Sequence, residues 1–307
     1  MVIVAIVLVS IAWTLRDQWQ AFRNAQFTGH PDWTYIGLSG IVVLATYALL
    51  VEVWRRIVAE WHAQMSFANA ARIWCVSNLG KYVPGKIWQI VAMSKMAEAV
   101  KVPPVAAGGS AILSTVINIA MGCVVAVVAG WSALNSVTRG HAALGILLAV
   151  VLVAGVMLLP MMLPPMLRVV ERVSGRQLSL GDLPRRAVYI AIAGNVVAWL
   201  LYGWSFQLLV HGVLGAAEGT FSQFTAAYAL SYVFGYLVFL IPGGVGPREA
   251  ALILSLKTMG FNAKDAAVVA VTSRLWLTVL EIVPGLIYLA LQPRRTKTSI
   301  PRDGTKL

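Results

Sequence analysis

The sequence predicts an all-α polytopic membrane protein with about six transmembrane helices and two re-entrant helical hairpins, arranged as an inverted repeat. The first reason is composition, because 59% of the 307 residues are hydrophobic and only 12% are charged. Soluble domains carry roughly 25% charged residues. The second reason is that the apolar runs are continuous rather than alternating, which favours transmembrane helices and excludes a transmembrane β-barrel.

The net charge of +12 does not indicate nucleic-acid binding, because the Lys and Arg residues cluster in a few loops. Such clusters mark the cytoplasmic side of a membrane. The loop 168–186 and the tail 293–307 are basic, so both are predicted to be cytoplasmic. The loop 211–220 carries one acidic residue, Glu218, and is predicted to be external. Counting spans from these loops places the N-terminus in the cytoplasm as well.

Residues 1–135 form the first predicted membrane repeat, with two spans, one hairpin and a further span. The first span is expected to end near Leu15, and the other two are expected to cover about 33–53 and 105–131. The hairpin is expected over about 66–100, with its break at Gly80-Lys81-Tyr82-Val83-Pro84-Gly85-Lys86. Each of its two helical pieces is too short to cross about 30 Å of hydrocarbon.

Residues 136–292 form the second, inverted repeat in the same order. Its spans are expected at about 142–162, 187–210 and 266–291. Its hairpin is expected over about 221–260, where five of the eight residues from Pro242 to Glu249 are Gly or Pro and cannot sustain an ordinary helix. Broken backbone is tolerated in a membrane only within protein or along a wet cavity. Two alternatives stay open: six spans with two accidental kinks, or a second break that marks a full crossing.

Several ionisable residues fall at predicted membrane depth. They are Lys81 and Lys86 at the first break, Arg248 and Glu249 at the second, and Arg274 and Glu281 in the last span. A lone Arg in lipid costs about 3 kcal/mol or more. Arg274 is therefore expected to pair with Glu249, with Glu281 or with an anionic ligand. Two other interpretations stay open: a structural ion-pair network in the last span, and lysines that reach the lipid headgroups.

The two breaks are predicted to approach each other and to flank a groove that opens sideways to lipid. Lys86 and Arg248 each begin the helix after a break, where free N–H groups and the helix dipole favour phosphate or carboxylate. The candidate substrate-binding residues are Lys81, Pro84, Gly85, Lys86, Pro242, Gly243, Gly244, Gly246, Arg248, Glu249, Arg274 and Glu281. The sequence has no catalytic motif, no cofactor motif and no metal-ligand spacing.

The two motifs resemble those of a known family. The first is the Gly80–Lys86 break, and the second is Ile241-Pro242-Gly243-Gly244-Val245-Gly246-Pro247-Arg248-Glu249-Ala250-Ala251, with Arg274 downstream. Together they are similar to the lysylphosphatidylglycerol synthase transmembrane-domain family, also called flippase-like proteins. The resemblance implies a lipid translocation domain in a bacterial inner membrane. No soluble aminoacyl-transfer domain follows the last span, so lipid aminoacylation by this chain alone is not expected.

The predicted function is that of a flippase. It would move an anionic or aminoacylated phospholipid, or a polyprenyl-phosphate-linked lipid, between leaflets without a cofactor, and without acting as an enzyme. Glu249 and Glu281 are candidate proton carriers. Two alternatives stay open: an accessory subunit or enzyme of a glycosyltransferase or lipid-carrier pathway, and a transporter of small organic anions. A glycosyltransferase or lipid-synthase partner and a homodimer are both compatible with the sequence, and a nucleic-acid partner is not expected.

Overall fold

The computed structural model describes residues 31–82, 88–131, 184–215, 218–237 and 246–291, with a few single helical residues in 16–20 and 147–155. In these parts of the chain there are eight α-helices, one short 3-10 helix and no strand. The all-α class is therefore confirmed for the described residues. The first predicted span, most of the fourth, residues 168–183 of the basic loop and the basic tail lie outside them.

The helices follow one another in a long, short, short, long order that occurs twice. They are α1 (Trp33–Ala59), α2 (Phe67–Asn78), a 3-10 helix (Leu79–Tyr82), α3 (Trp88–Glu98), α4 (Pro104–Ala129), α5 (Arg185–Leu214), α6 (Phe221–Leu237), α7 (Pro247–Thr258) and α8 (Ala263–Ala290). The long helices α1, α4, α5 and α8 are each long and apolar enough to cross a membrane. The chain is therefore a multi-pass membrane protein.

Short polar side chains and prolines set most of the helix starts. The side chains of Asp32, Ser66 and Asn262 accept backbone N–H groups in the first turns of α1, α2 and α8. Pro104 and Pro247 occupy the first turns of α4 and α7, where a missing N–H costs nothing. These starts lie within a few residues of those predicted from the sequence.

Two long helices extend further than the sequence pattern predicted. Helix α1 continues to Ala59 instead of ending near residue 53. Glu52 lies within it and pairs with Arg55 at 2.7 Å and with Arg56 at 2.8 Å. These charges satisfy one another one turn apart on the helix surface, so they continue the helix instead of terminating it. Helix α5 likewise includes His211, which was expected in the following loop.

The centre of the fold is the antiparallel pair of α1 and α5. At one end the N–H of Asp32 donates to the carbonyl of Gly212 at 2.8 Å, and at the other Arg186 lies 3.5 Å from Glu60. Between these ends, the buried hydroxyls of Ser39 and Ser205 lie 3.0 Å apart. The C-terminal end of α1 and the basic N-terminal end of α5 therefore lie at the same side of the molecule.

One short helix of each half packs onto a long helix of the other half, while the remaining short helix packs onto a long helix of its own half. Helix α2 packs against α8, and α6 packs against α4, while α2 and α3 pair with each other, as do α6 and α7. The contact of α8 with α2 is close at Gly285, where an added Cβ would lie 3.0 Å from the carbonyl oxygen of Cys75. This packing brings the side chains of α8 to the residues next to the first break.

Candidate functional site

An ion pair joins the first break to the last long helix. Lys81 lies on the 3-10 helix and forms a salt bridge with Glu281 of α8. The described residues end at Tyr82 and resume at Trp88. The hydroxyl of Tyr82 donates to the same carboxylate oxygen at 2.9 Å. The side chains of Lys81 and Glu281 are 29% and 17% exposed. Glu281 therefore holds the 3-10 helix against α8.

A second ion pair joins α8 to the start of α7. A guanidinium nitrogen of Arg274, which is 5% exposed, lies 3.5 Å from Oε1 of Glu249. The other oxygen of Glu249 accepts the backbone N–H of Gly246 at 2.6 Å, which caps the helix. The predicted pairing of Arg274 with a carboxylate is confirmed, and the partner is Glu249. One carboxylate thus stabilises both a buried cation and the end of the second break.

Arg248 lies over aromatic rings and forms no salt bridge with a carboxylate among the described residues. Its guanidinium carbon is 5.3 Å from the ring centres of Tyr228 and Tyr232, both on α6. Such contacts stabilise a cation without neutralising its charge. Its Nη2 atom is buried and has no hydrogen-bond partner among the described residues. Arg248 therefore keeps a donor and a full positive charge for a ligand.

The Lys81–Glu281 ion pair and Arg248 line one common cavity of about 210 Å³. Lys81 lines it from the 3-10 helix, Glu281 from α8 and Arg248 from α7. Much of the remaining wall is aromatic, with contributions from Tyr47, Trp54, Trp74, Trp199, Tyr202, Tyr232 and Tyr236. Residues from both predicted hairpins thus face a common space inside the helix bundle.

Amide side chains form another part of the cavity wall. The amide nitrogen of Asn118 donates to the amide oxygen of Asn195 at 2.7 Å. The amide nitrogen of Gln89 donates to the amide oxygen of Asn78 at 2.6 Å. All four side chains line the cavity. The indole N–H of Trp199 donates to the backbone carbonyl of Asn118 at 3.0 Å, and the Trp199 ring lies 5.3 Å from Tyr232. The amide and aromatic walls are therefore in contact.

The aromatic and amide walls were not predicted from the sequence. Tyr228, Tyr232 and Tyr236 recur every four residues within an apolar run, which places them on one face of a helix and could have indicated a polar lining. The amides carry no comparable signal, because Asn118 and Asn195 are 77 residues apart and neither lies in a local motif.

The described residues include only part of the predicted site. Lys81, Arg248 and Glu281 line the cavity, Glu249 and Arg274 pair beside it, and Gly246 caps α7 with a positive φ of 92°. Pro84, Gly85, Lys86, Pro242, Gly243 and Gly244 lie outside the described residues. Within the described ranges, no group of three or more His, Cys, Asp or Glu side chains could hold a metal ion.

A family model described as the lysylphosphatidylglycerol synthase TM region matches residues 1–285. No curated protein matches the chain.

Proposed function

We propose that this chain, which belongs to the lysylphosphatidylglycerol synthase TM-region family, moves a lipid with an anionic headgroup between the two leaflets of a membrane. Membership of the family supports a role in handling lipids, and the four long apolar helices support a place within the bilayer. The cargo class comprises anionic or aminoacylated phospholipids and polyprenyl-phosphate-linked lipids.

The observation that carries this proposal is that Lys81 and Arg248 line the same cavity. Lys81 is the second residue of the first break, and Arg248 is the second residue of the helix that begins at Pro247 within the second break. Their common cavity supports the prediction that the two hairpin tips approach each other. Two of the helices in the predicted hairpins are short: 12 residues of α2 or α7 rise only about 18 Å, against about 30 Å of hydrocarbon.

The charges of the cavity favour a phosphate group. Glu281 pairs with Lys81, so the charge of Arg248 is the one that remains without a carboxylate among the described lining residues. A guanidinium donates two parallel bonds to a phosphate, and each charge-assisted hydrogen bond contributes about 1.5–3 kcal/mol. A headgroup could bind there while its acyl chains stay in apolar surroundings, which supports a lateral groove rather than an aqueous pore.

The repeated helix order supports an inverted repeat with six spans and two re-entrant hairpins. Helix lengths are 27, 12, 11 and 26 residues in the first half and 30, 17, 12 and 28 in the second. The contacts also pair up, since α2 packs on α8 as α6 packs on α4. Such repeats place the substrate site where the two halves meet.

The family and the basic loops support a proposal for the cellular setting. We place the chain in a bacterial inner membrane, with both termini and the loop 168–186 in the cytoplasm. The chain acts as a transporter and not as an enzyme, alone or as a homodimer, beside a glycosyltransferase or lipid synthase. Transport is downhill or coupled to protons through Glu249 or Glu281.

The proposal is tested by measuring lipid movement in vesicles reconstituted with purified protein. A fluorescent phospholipid should become accessible to a membrane-impermeant quencher faster than in protein-free vesicles. Arg248→Gln should slow this movement at least tenfold, because it removes the cavity's unpaired charge. Lys257→Gln is the matched control, since Lys257 is an exposed cation on the same helix. Equal rates of lipid movement in protein-containing and protein-free vesicles would refute flippase activity.

A transporter of small organic anions is the second candidate, favoured by the size of the cavity. Drug-sized ligands occupy about 300–1,000 Å³, so a cavity of about 210 Å³ would hold a small anion or a headgroup but not a whole lipid. Uptake of a soluble organic phosphate into the same vesicles, without movement of lipid, would favour this candidate.

A further inference from the structure

We propose that Tyr228 and Tyr232 are positioning residues, whose ring faces hold the guanidinium of Arg248 away from the neighbouring carboxylates and keep its charge available to an anionic ligand. This inference rests on the proposed function, because it concerns how the same site is kept ready to bind. The contacts that carry it fix Arg248 in three parts: its backbone, its Cβ and its charged end.

The backbone and the Cβ of Arg248 are fixed where α7 begins. Glu249, the next residue, accepts the backbone N–H of Gly246 at 2.6 Å and pairs with Arg274 at 3.5 Å. The Cβ of Arg248 packs against Gly235 of α6, where an added Cβ would lie 2.7 Å from it. These contacts do not fix the guanidinium, because several rotatable bonds separate it from the Cβ.

Two carboxylates compete for this guanidinium. Glu249 is adjacent to Arg248 in the chain, Glu281 lines the same cavity, and both attract Arg248 electrostatically. An arginine that is free to turn forms charge-assisted hydrogen bonds with a carboxylate in reach. In the described part of the chain, however, Glu249 pairs with Arg274 and Glu281 pairs with Lys81. Another contact therefore sets the position of the Arg248 guanidinium.

The rings of Tyr228 and Tyr232 make this contact. They are four residues apart on α6, which places them on one face of the helix. Each ring centre lies 5.3 Å from the guanidinium carbon of Arg248. Ring faces attract a cation without neutralising its charge, and the Nη2 atom of Arg248 has no hydrogen-bond partner among the described residues. The rings thus compete with the carboxylates for the guanidinium and leave a donor and the full charge for a ligand.

Other aromatic side chains hold the two rings in place. Tyr202 stacks on Tyr228 with the ring centres 5.6 Å apart and the ring planes at 25°. Trp199 meets Tyr232 edge-on, with the ring centres 5.3 Å apart. The indole N–H of Trp199 is itself fixed, because it donates to the backbone carbonyl of Asn118 at 3.0 Å. The two tyrosine rings therefore form a packed surface for the guanidinium before any ligand binds.

Tyr228 allows positioning to be separated from contact with the ligand. It is 4% exposed and is not among the described residues that line the cavity, so it acts on a ligand through Arg248. Purified protein is titrated by calorimetry with short-chain phosphatidylglycerol. Tyr228→Leu should weaken binding about tenfold, and Tyr228→Phe, which keeps the ring, should stay within about threefold of the wild type. Wild-type affinity in Tyr228→Leu, or an equal loss in both variants, would overturn the inference.

A double-mutant cycle shows whether the loss of affinity passes through Arg248. In an Arg248→Gln background, Tyr228→Leu should change the affinity less than about twofold, because the ring has no guanidinium left to hold. The same loss in both backgrounds would show a purely structural role of Tyr228 and overturn the inference. Phe234→Leu is the control and should bind as the wild type does, since Phe234 is an aromatic residue of α6 that is 51% exposed.

The variant Arg248→Lys leaves the aromatic side chains of α6 intact, so it decides the question even if Tyr228→Leu does not fold. It keeps the charge, but an ammonium is a compact group that does not lie flat across two rings. We expect it to weaken binding of the same probe about tenfold. Wild-type affinity would show that a charge at this position is sufficient without the rings, and would overturn the inference.

Binding and transport together separate the two proposals. If the cycle gives the expected coupling but lipid does not move in vesicles, the positioning stands and the flippase activity fails. If lipid moves, and Tyr228→Leu both binds and moves it as the wild type does, the flippase activity stands and the positioning is overturned. Glycerol 3-phosphate is the soluble arm. The same coupling with equal or tighter binding of this probe supports the positioning and assigns the ligand to a free phosphate.

Discussion

At the residue scale, the central contact is the ion pair of Lys81 and Glu281, which joins residues 200 positions apart in the chain. Glu281→Gln should lower the free energy of unfolding by about 2–3 kcal/mol, because it leaves the ammonium of Lys81 without a counter-ion in a partly buried site. SDS titration in mixed micelles measures this change. Glu98→Gln is the control, since Glu98 is exposed on α3.

The double variant Lys81→Met/Glu281→Gln separates the loss of the pair from the cost of an unpaired charge. It should recover a large part of the lost stability, because neither charge then remains in the site. A double variant as unstable as Glu281→Gln alone would show that the pair itself, and not the orphaned lysine, stabilises the fold.

The sequence predicted individual residues better than their partners. Arg274 was expected to need a carboxylate because of the cost of burying its charge, and it pairs with Glu249. No local pattern distinguishes Glu249 from Glu281 as that partner, because the choice depends on how α7 and α8 pack. The ring contacts of Arg248 with Tyr228 and Tyr232 likewise depend on the approach of α6 to α7.

At the element scale, Gly235 allows α6 and α7 to approach each other closely. An added Cβ would lie 2.7 Å from the Cβ of Arg248, which is closer than packed side chains tolerate. Gly235→Ala should therefore reduce the free energy of unfolding by about 1–3 kcal/mol. The same substitution at Gly37, which has nothing within 4 Å of the added Cβ, should raise it by about 0.5–1 kcal/mol. If both variants changed stability in the same direction, α6 and α7 would not pack as described.

The helices themselves were largely predictable, because their starts depend on local chemistry. Ser66, Pro104 and Pro247 begin or cap helices near the predicted positions. The end of α1 was not predictable in this way. Glu52, Arg55 and Arg56 resembled the charges of a membrane boundary, but they pair with one another along the helix. Charge near the end of an apolar run indicates a membrane boundary only where those charges lack partners on the same helix.

At the scale of the whole molecule, the topology can be tested by cysteine labelling in a background without Cys75 and Cys123. Position 56 lies at the end of α1 that meets the start of α5, through the contact of Glu60 with Arg186. Cysteines at positions 56 and 176 should resist an impermeant reagent added outside, and a cysteine at 218 should react. External labelling at 176, or equal labelling at 56 and 218, would contradict the proposed orientation.

The most direct test of the central claim is to locate the lipid headgroup in the membrane. A phosphatidylglycerol with a photoreactive headgroup is irradiated in vesicles that contain the protein, and the labelled residues are mapped by mass spectrometry. We expect labels on cavity residues such as Trp74, Tyr202 and Tyr232, with a loss of these labels in Arg248→Gln or with excess unlabelled lipid. Labels confined to outward-facing residues such as Leu230 and Phe234, which are each 51% exposed, would contradict it.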